Sequence, residues 1–170
     1  HLVDFNDGDS FLVALSNSDV VFCSIGTTQK KVKGDKEAYR KIDYDIAVNA
    51  ARFSKMVGCE TFVLVSSIGA NSKSNNFYLK LKGEIEDAVK ETGLHSINIM
   101  RPSILLGDRK ENRLAESISK KIMSALSFLV PSKYKAIHGR TVGKAMKNVS
   151  KENKQGFFIH EYKEIKKLIN

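Results

Sequence analysis

The sequence has no tryptophan, and aromatic residues make up only 8% of its 170 positions. That matters because the chain carries a formal charge of +9. A basic balance invites a nucleic-acid or membrane-surface reading. Binding single strands, however, needs aromatic platforms between the cations, and none accompanies these lysines, which are spread over helices and loops. They read as a solvated surface, with at most a weak preference for a phosphate-bearing ligand. Cysteine is scarce as well. Cys23 and Cys59 each close an apolar run and share no CxxC or ligand spacing. They read as reduced core thiols of a cytoplasmic protein. Four scattered histidines show no paired spacing, so no metal site is expected. Long apolar runs are missing: stretches such as VLVSS and INIM are far too short to cross a bilayer. No signal-peptide pattern opens the chain, which starts at His1 rather than Met, so nothing before that point is read.

The remaining composition is that of a single globular domain, with 42% hydrophobic and 28% charged residues. Residues 1–5 (HLVDF) read as a strand and 8–17 as a short helix. The run 19–25 (DVVFCSI) reads as a buried parallel strand ending at Gly26. A long amphipathic helix is predicted over 35–57, with Tyr39, Ile42, Ile46, Ala50, Phe53 and Val57 at helical spacing, Asp35 as N-cap and Gly58 as C-cap. Strand 61–67 (TFVLVSS) follows, then a helix over 76–92 with Tyr78, Leu81, Ile85 and Val89 on one face. Strand 95–100 (HSINIM) is stopped by Pro102. Further on, helices are predicted over 112–129, 139–151 and 161–169, and a strand over 156–160. This alternation predicts an α/β domain with a doubly wound parallel sheet between two helical layers. Ligands bind beyond the carboxyl ends of the strands in such sheets. The ends here are Asp4-Phe5, Cys23 to Thr27, Ser66-Ser67-Ile68-Gly69 and Arg101-Pro102-Ser103, each small or polar after an apolar run.

Tyr78 and Lys82 stand four apart on a predicted helix and so share a face. An ammonium beside a phenol favours the phenolate, which lets a tyrosine exchange a proton with a carbonyl or an alcohol. A hydroxyl from Ser67 or Ser66 would hold the reacting oxygen. The spacing itself is not specific, since Tyr162 and Lys166 repeat it. Only the first pair follows a buried strand that ends in Ser-Ser-x-Gly, so the second is read as a decoy.

The succession VVFCSIGTT, YRKIDYDIAVNAARFSKMVGCETFVLVSSIGA, YLKLK and INIMRPSILLGDR resembles the short-chain dehydrogenase/reductase class over nearly the whole chain. Within that class it is most similar to the atypical Tat-interacting-protein oxidoreductase branch, which is nucleoside-diphosphate-sugar-epimerase-like. The resemblance implies a Rossmann fold, a nicotinamide cofactor (NADP(H) or NAD(H), with NADP(H) slightly preferred) and a small carbonyl, alcohol or sugar-nucleotide substrate. It also implies site residues. Ser67, Tyr78 and Lys82 match the catalytic triad, and Lys82 also holds the nicotinamide ribose. Asp4 and Phe5 match the adenine contacts. Cys23, Ser24, Gly26 and Thr27 match the turn against the cofactor, with Ser66 beside it. Arg101, Pro102 and Ser103 line the nicotinamide side. Residues 104–170 form the small substrate-side region, and the class pairs helices like 35–57 and 76–92 into homodimers.

The chain departs from that pattern at its front. No Gly-rich turn is present and no second strand selects NAD or NADP, so the first two strands of the family are missing from the sequence. Strand 1–5 would then be third and strand 19–25 fourth in the order 3-2-1-4-5-6, leaving a gap of roughly 14 Å between them. By comparison with the family, roughly 45 residues are expected before His1, and the chain alone is not expected to bind a dinucleotide tightly. The spacing from Ser67 to Tyr78 is also tighter than in classical members. Two functions fit: an NAD(P)-dependent oxidoreductase or epimerase-like enzyme, or a cofactor-sensing protein with little turnover.

Overall fold

The computed structural model describes residues 3–107 and 131–169. The helix predicted over 112–129 lies outside the described residues, as do His1 and Leu2 of the predicted first strand.

Four parallel strands form the main sheet: β1 (Val20–Cys23), β2 (Thr61–Val65), β3 (Ser96–Met100) and β6 (Gly156–His160), in the order β1-β2-β3-β6. Two short segments, β4 (Leu105–Leu106) and β5 (Ile137–His138), pair in parallel beside it. β2 and β3 are buried on both faces, as their unbroken apolar runs require. Their alternation divides the core in two. Phe62, Leu64, Ile97 and Ile99 join one cluster with Phe11, Ala47, Leu81, Ile85 and Val89. Val63 and Met100 join the other, with Ile137, Val142, Ala145, Met146, Val149 and Ile165. The first cluster lies under helices α1 (Gly8–Leu15), α2 (Lys36–Arg40), α3 (Ile46–Met56) and α4 (Phe77–Glu91). The second lies under α5 (Gly139–Val149) and α6 (Tyr162–Lys167). The predicted three-layer doubly wound architecture is therefore observed.

The predicted helix ends are set by side chains. Asp35 caps α2 by accepting from the Glu37 and Ala38 amides at 2.8 and 3.0 Å. Asn76 caps α4 by accepting from the Leu79 amide at 3.1 Å. Gly58, with φ of +79°, follows α3 in the left-handed conformation that favours glycine.

Two expectations are corrected. Val3, Asp4 and Phe5 form no strand; the chain there turns directly into α1. A strand exists by pairing, and no described neighbour offers Val3–Phe5 a ladder. The 35–57 helix is also not uniform. A π turn, Lys41–Asp45, joins α2 to α3. Tyr39 and Ala50 of the predicted stripe are buried, but Ile42, Ile46, Phe53 and Val57 are only partly so, and the most buried positions are Asp43, Ala47, Val48, Ala51 and Ser54. Phe53 instead turns sideways to stack on Phe11, with ring centroids 5.2 Å apart. Small residues let α3 approach its neighbours closely, which an apolar count does not register.

Candidate active site

Because the strands are parallel, the tips of β1, β2 and β3 end along one edge of the sheet, and backbone bonds continue past them. The Ser66 amide donates to the Met100 carbonyl at 2.7 Å, and the Ile68 amide to the Pro102 carbonyl at 3.0 Å. The Ser66-Ser67 pair thus lies alongside Arg101 and Pro102.

Alternation along the strand separates the two serines. Ser66 is buried, and its hydroxyl donates to Glu86 Oε1 at 2.5 Å. The Glu86 carboxylate also accepts from Arg101 Nε at 3.0 Å and pairs with its Nη2. These three residues form a satisfied network inside the fold. Ser67 is half-buried, and among the described residues its hydroxyl makes only a long 3.3 Å bond to the adjacent Ile68 carbonyl. Of the two hydroxyls, Ser67 is the one with capacity for another partner.

The helix carrying Tyr78 and Lys82 is held by the loop before it. The Asn71 amide donates to the Leu79 carbonyl at 3.0 Å, and the Asn71–Ser72 backbone lies directly on Gly83. A Cβ at Gly83 would come within 2.1 Å of the Ser72 nitrogen. This close crossing accommodates the tight spacing between Ser67 and Tyr78. Tyr78 stands in the first turn of α4 at 38% exposure, outside the buried stripe of Leu81, Ile85 and Val89. The Lys82 Nζ lies 5.8 Å from the centre of its ring.

Lys82 is 7% exposed, and a lysine so buried needs a partner. Its Nζ lies 2.8 Å from Asp43 Oδ2, and Asp43 is itself 2% exposed. The other oxygen, Oδ1, accepts from the Thr27 amide at 2.6 Å. The Tyr39 hydroxyl donates to the Thr27 carbonyl at 3.3 Å, which ties down the same turn. Burial pushes the Cys23 thiol up, against lowering contributions from the Ile25 backbone and the Lys82 ammonium. Cys23 is therefore a protonated core group at the base of the turn, while Ser24 and Gly26 are exposed above it.

The structure thus links the turn after β1 to Lys82 through Asp43, and the Lys82 ammonium to the Tyr78 ring across 5.8 Å, while Ser67 lies beside Arg101 and Pro102. Other residues are engaged elsewhere. The Asp4 carboxylate accepts from the Asn6 amide at 2.9 Å, and the Asp4 amide donates to the Ser10 hydroxyl at 2.9 Å, so α1 holds it. Phe5 packs 5.5 Å from Phe11. Pro102 is buried, and the Ser103 hydroxyl donates to the Lys135 carbonyl at 2.5 Å, pinning the chain beside β4 and β5. Two residues escaped the sequence reading, Asp43 and Glu86. Each is a carboxylate on the inward face of its helix, where it requires a cation.

Residues 4–136 match the HIM1 family. Protein HTATIP2 of Rattus norvegicus is 37% identical over 147 residues, covering 86% of this chain and 60% of its own length. Protein FMP52, mitochondrial, of Candida albicans is 44% identical over 107 residues, covering 62% of this chain and 46% of its own length. The chain therefore spans from 40% to 60% of the length of these curated relatives. Among solved structures, UDP-N-acetylglucosamine 4-epimerase from Bacillus cereus superposes with a TM-score of 0.70 at 16% identity, over 95% of this chain and 64% of that one. A dTDP-4-dehydrorhamnose reductase from Bacillus anthracis, in complex with NADP, gives 0.68 at 16%, over 98% and 68%. These likenesses establish the Rossmann fold of epimerases and reductases. The mitochondrial names overturn the cytoplasmic reading. Buried reduced thiols report a redox state, which more than one compartment shares. The resemblance to the Tat-interacting-protein branch is borne out, and the chain belongs to the HIM1 family.

Proposed function

We propose that this chain supplies the proton-transfer side of an NAD(P)-dependent oxidoreductase or epimerase-like enzyme acting on a carbonyl, an alcohol or a sugar nucleotide. The observation that carries the reading is Lys82 held by Asp43 beside the β1 turn with its ammonium 5.8 Å from the Tyr78 ring, and the Ser67 hydroxyl engaged only in a long 3.3 Å bond among the described residues. The residues present fit a dinucleotide. In the turn after β1, Ser24 and Gly26 are exposed and the Thr27 amide shares the Asp43 carboxylate with the buried Lys82 ammonium, and the solved reductase named above was in complex with NADP. Such a cofactor, when bound, supplies or accepts a hydride.

The chain's own groups do the rest. Ser67 orients the substrate oxygen by a hydrogen bond. Tyr78, exposed enough to reach that oxygen, donates or takes its proton. Lys82 stabilises negative charge on the phenol oxygen and offers donors to ribose hydroxyls. NADP(H) is placed before NAD(H). The FMP52 names put a mitochondrial site of action first, which fractionation of the source cells would check.

The decisive experiment is turnover by the whole protein and by Tyr78→Phe, after fluorescence titration with NADPH and NADH. Removal of the proton donor should lower kcat by roughly 10²-fold or more with little change in cofactor affinity. If the wild type binds cofactor, turns over no carbonyl or sugar nucleotide, and is unchanged by Tyr78→Phe, the protein is a cofactor sensor instead.

A further inference from the structure

The cations that are spread along the sequence are segregated in the fold. Residues 3–107 carry thirteen basic and thirteen acidic side chains, whereas residues 131–169 carry ten basic against three acidic. The excess centres on α5 and α6, which cover one face of the sheet. On α5, Val142, Ala145, Met146 and Val149 are buried. Arg140, Lys144 and Lys147 are exposed on the opposite side, and Lys151 continues their i, i+4, i+7, i+11 row past the helix end. On α6, Ile165 is buried, and Lys163 and Lys167 are exposed opposite it. The Asn148 side-chain amide ties the two helices together by donating to the Leu168 carbonyl at 2.7 Å.

A solvated helix face does not require this arrangement. Arg140–Lys144, Lys144–Lys147 and Lys147–Lys151 are neighbouring like charges, and each pair weakens the helix. Arg140 stands in the first turn, where the helix dipole disfavours a cation, and α5 contains no acidic residue. The opposite layer is built otherwise: Glu37 pairs with Lys41 at 3.6 Å, and Arg40 with Glu84 at 2.5 Å. Among the described residues, no ion pair involves any of the six cations of the α5–α6 face.

We propose that the outer face of α5 and α6 is a docking surface for double-stranded RNA, held through its phosphates. Six unpaired cations on one face require a polyanion. No exposed aromatic or large apolar side chain lies on either helix. A protein partner would find no apolar anchor there, a membrane would receive no inserted group, and a single strand would find no ring on which to stack. A duplex needs only its backbone contacted. Two helices side by side make a face roughly 20 Å across, too broad to enter the major groove of B-DNA, which is about 12 Å wide. The wide, shallow minor groove of A-form RNA presents phosphates and 2′-hydroxyls to a flat face. Helix α4, with Tyr78 and Lys82, lies on the other side of the sheet, so the proposal is independent of the dinucleotide reading.

The test is fluorescence anisotropy of a labelled, mixed-sequence RNA duplex of about 20 base pairs, titrated with the 170-residue chain between about 50 and 200 mM salt. If the six cations meet six phosphates, affinity should fall by about 10³-fold across that range. Lys144→Gln/Lys147→Gln should weaken binding about tenfold or more and reduce the slope of log affinity against log salt by about 2. Its melting temperature should be unchanged or higher, because like charges are removed from α5. Lys73→Gln/Lys80→Gln removes the same charge from exposed positions on the α4 side and should change affinity by less than about twofold. A DNA duplex of the same sequence should bind about fivefold more weakly than the RNA. Equal weakening by both double variants would reduce the binding to net charge and overturn the proposal. So would equal affinity for DNA, or no duplex binding at the lowest salt. Phosphatidylcholine–phosphatidylserine vesicles and polyglutamate complete the series. Capture of either through Lys144 and Lys147, with the RNA duplex left unbound, would assign the face to a membrane or to an acidic protein instead.

Discussion

His160 closes β6 with its Nε2 2.9 Å from the Asn98 Oδ1, and the Asn98 amide in turn donates to the Ser96 hydroxyl at 3.2 Å. Burial lowers its pKa below the usual 6.5, against the opposite pull of Glu152 and Glu164. In the unfolded chain this histidine takes its proton near the usual value, while the folded protein resists to lower pH. Below about pH 6.5 the unfolded state therefore binds more protons, and stability falls as pH falls through the lowered folded value. Between about pH 7.5 and 5.5, His160→Gln, which can still donate to Asn98, should lose less melting temperature than the wild type. Equal losses in both proteins would mean that other groups control this range. The same scale shows what a sequence conceals. The Ser66–Ser67 ambiguity could not be resolved from residue type, because only the phase of the strand sets which hydroxyl meets Glu86. Asp43 was recoverable in principle, since it falls four before Ala47 and eight before Ala51 on the inward face. An inward carboxylate and an already suspected lysine form a pair that could have been sought.

The elements themselves were largely legible. Their apolar periodicity and their caps at Asp35 and Asn76 carry local information, and β2, β3 and α4 form where expected. Strand 1–5 was not recoverable in the same way, because strand character depends on a partner. The crossing of the Asn71–Ser72 backbone over α4 was equally hidden, since its only sequence trace is a glycine inside a helix. That glycine gives a sharp prediction. On an exposed helix, Gly→Ala gains about 1 kcal/mol from propensity. At Gly83 the added carbon would sit 2.1 Å from the Ser72 nitrogen, and neither backbone can move without displacing the loop that leads to Tyr78. Overpacking of this kind costs about 1–3 kcal/mol or more, so the sign reverses. Gly83→Ala should lower the urea midpoint and also reduce activity, because the start of α4 is displaced. Gly143→Ala is the control, since its Cβ meets nothing within 4 Å and the residue is exposed in the interior of α5. An unchanged or raised midpoint for Gly83→Ala would show that the loop does not rest on the helix.

At the level of the molecule, alternation of strands and helices specified the layers, and the unbroken apolar runs specified burial for the central strands. β1 is the exception. Its run reads as fully buried, yet it lies at the edge of the described sheet with Phe22 50% exposed. Phe22 is registered against Val63, whose face is covered by the α5 and α6 cluster, but that cover does not extend over Phe22. A parallel sheet normally has both faces covered, and an open apolar edge strand is a site of unwanted association. The 170-residue chain should therefore bind a hydrophobic dye such as anilinonaphthalene sulfonate and associate at high concentration. Phe22→Thr keeps the β-branched preference for a strand while removing the ring, and at half exposure it should cost no more than about 1 kcal/mol. Dye fluorescence and the concentration-dependent mass from light scattering should both fall in the variant. If neither changes, the ring is covered in solution, and the open edge of β1 does not determine how this chain behaves.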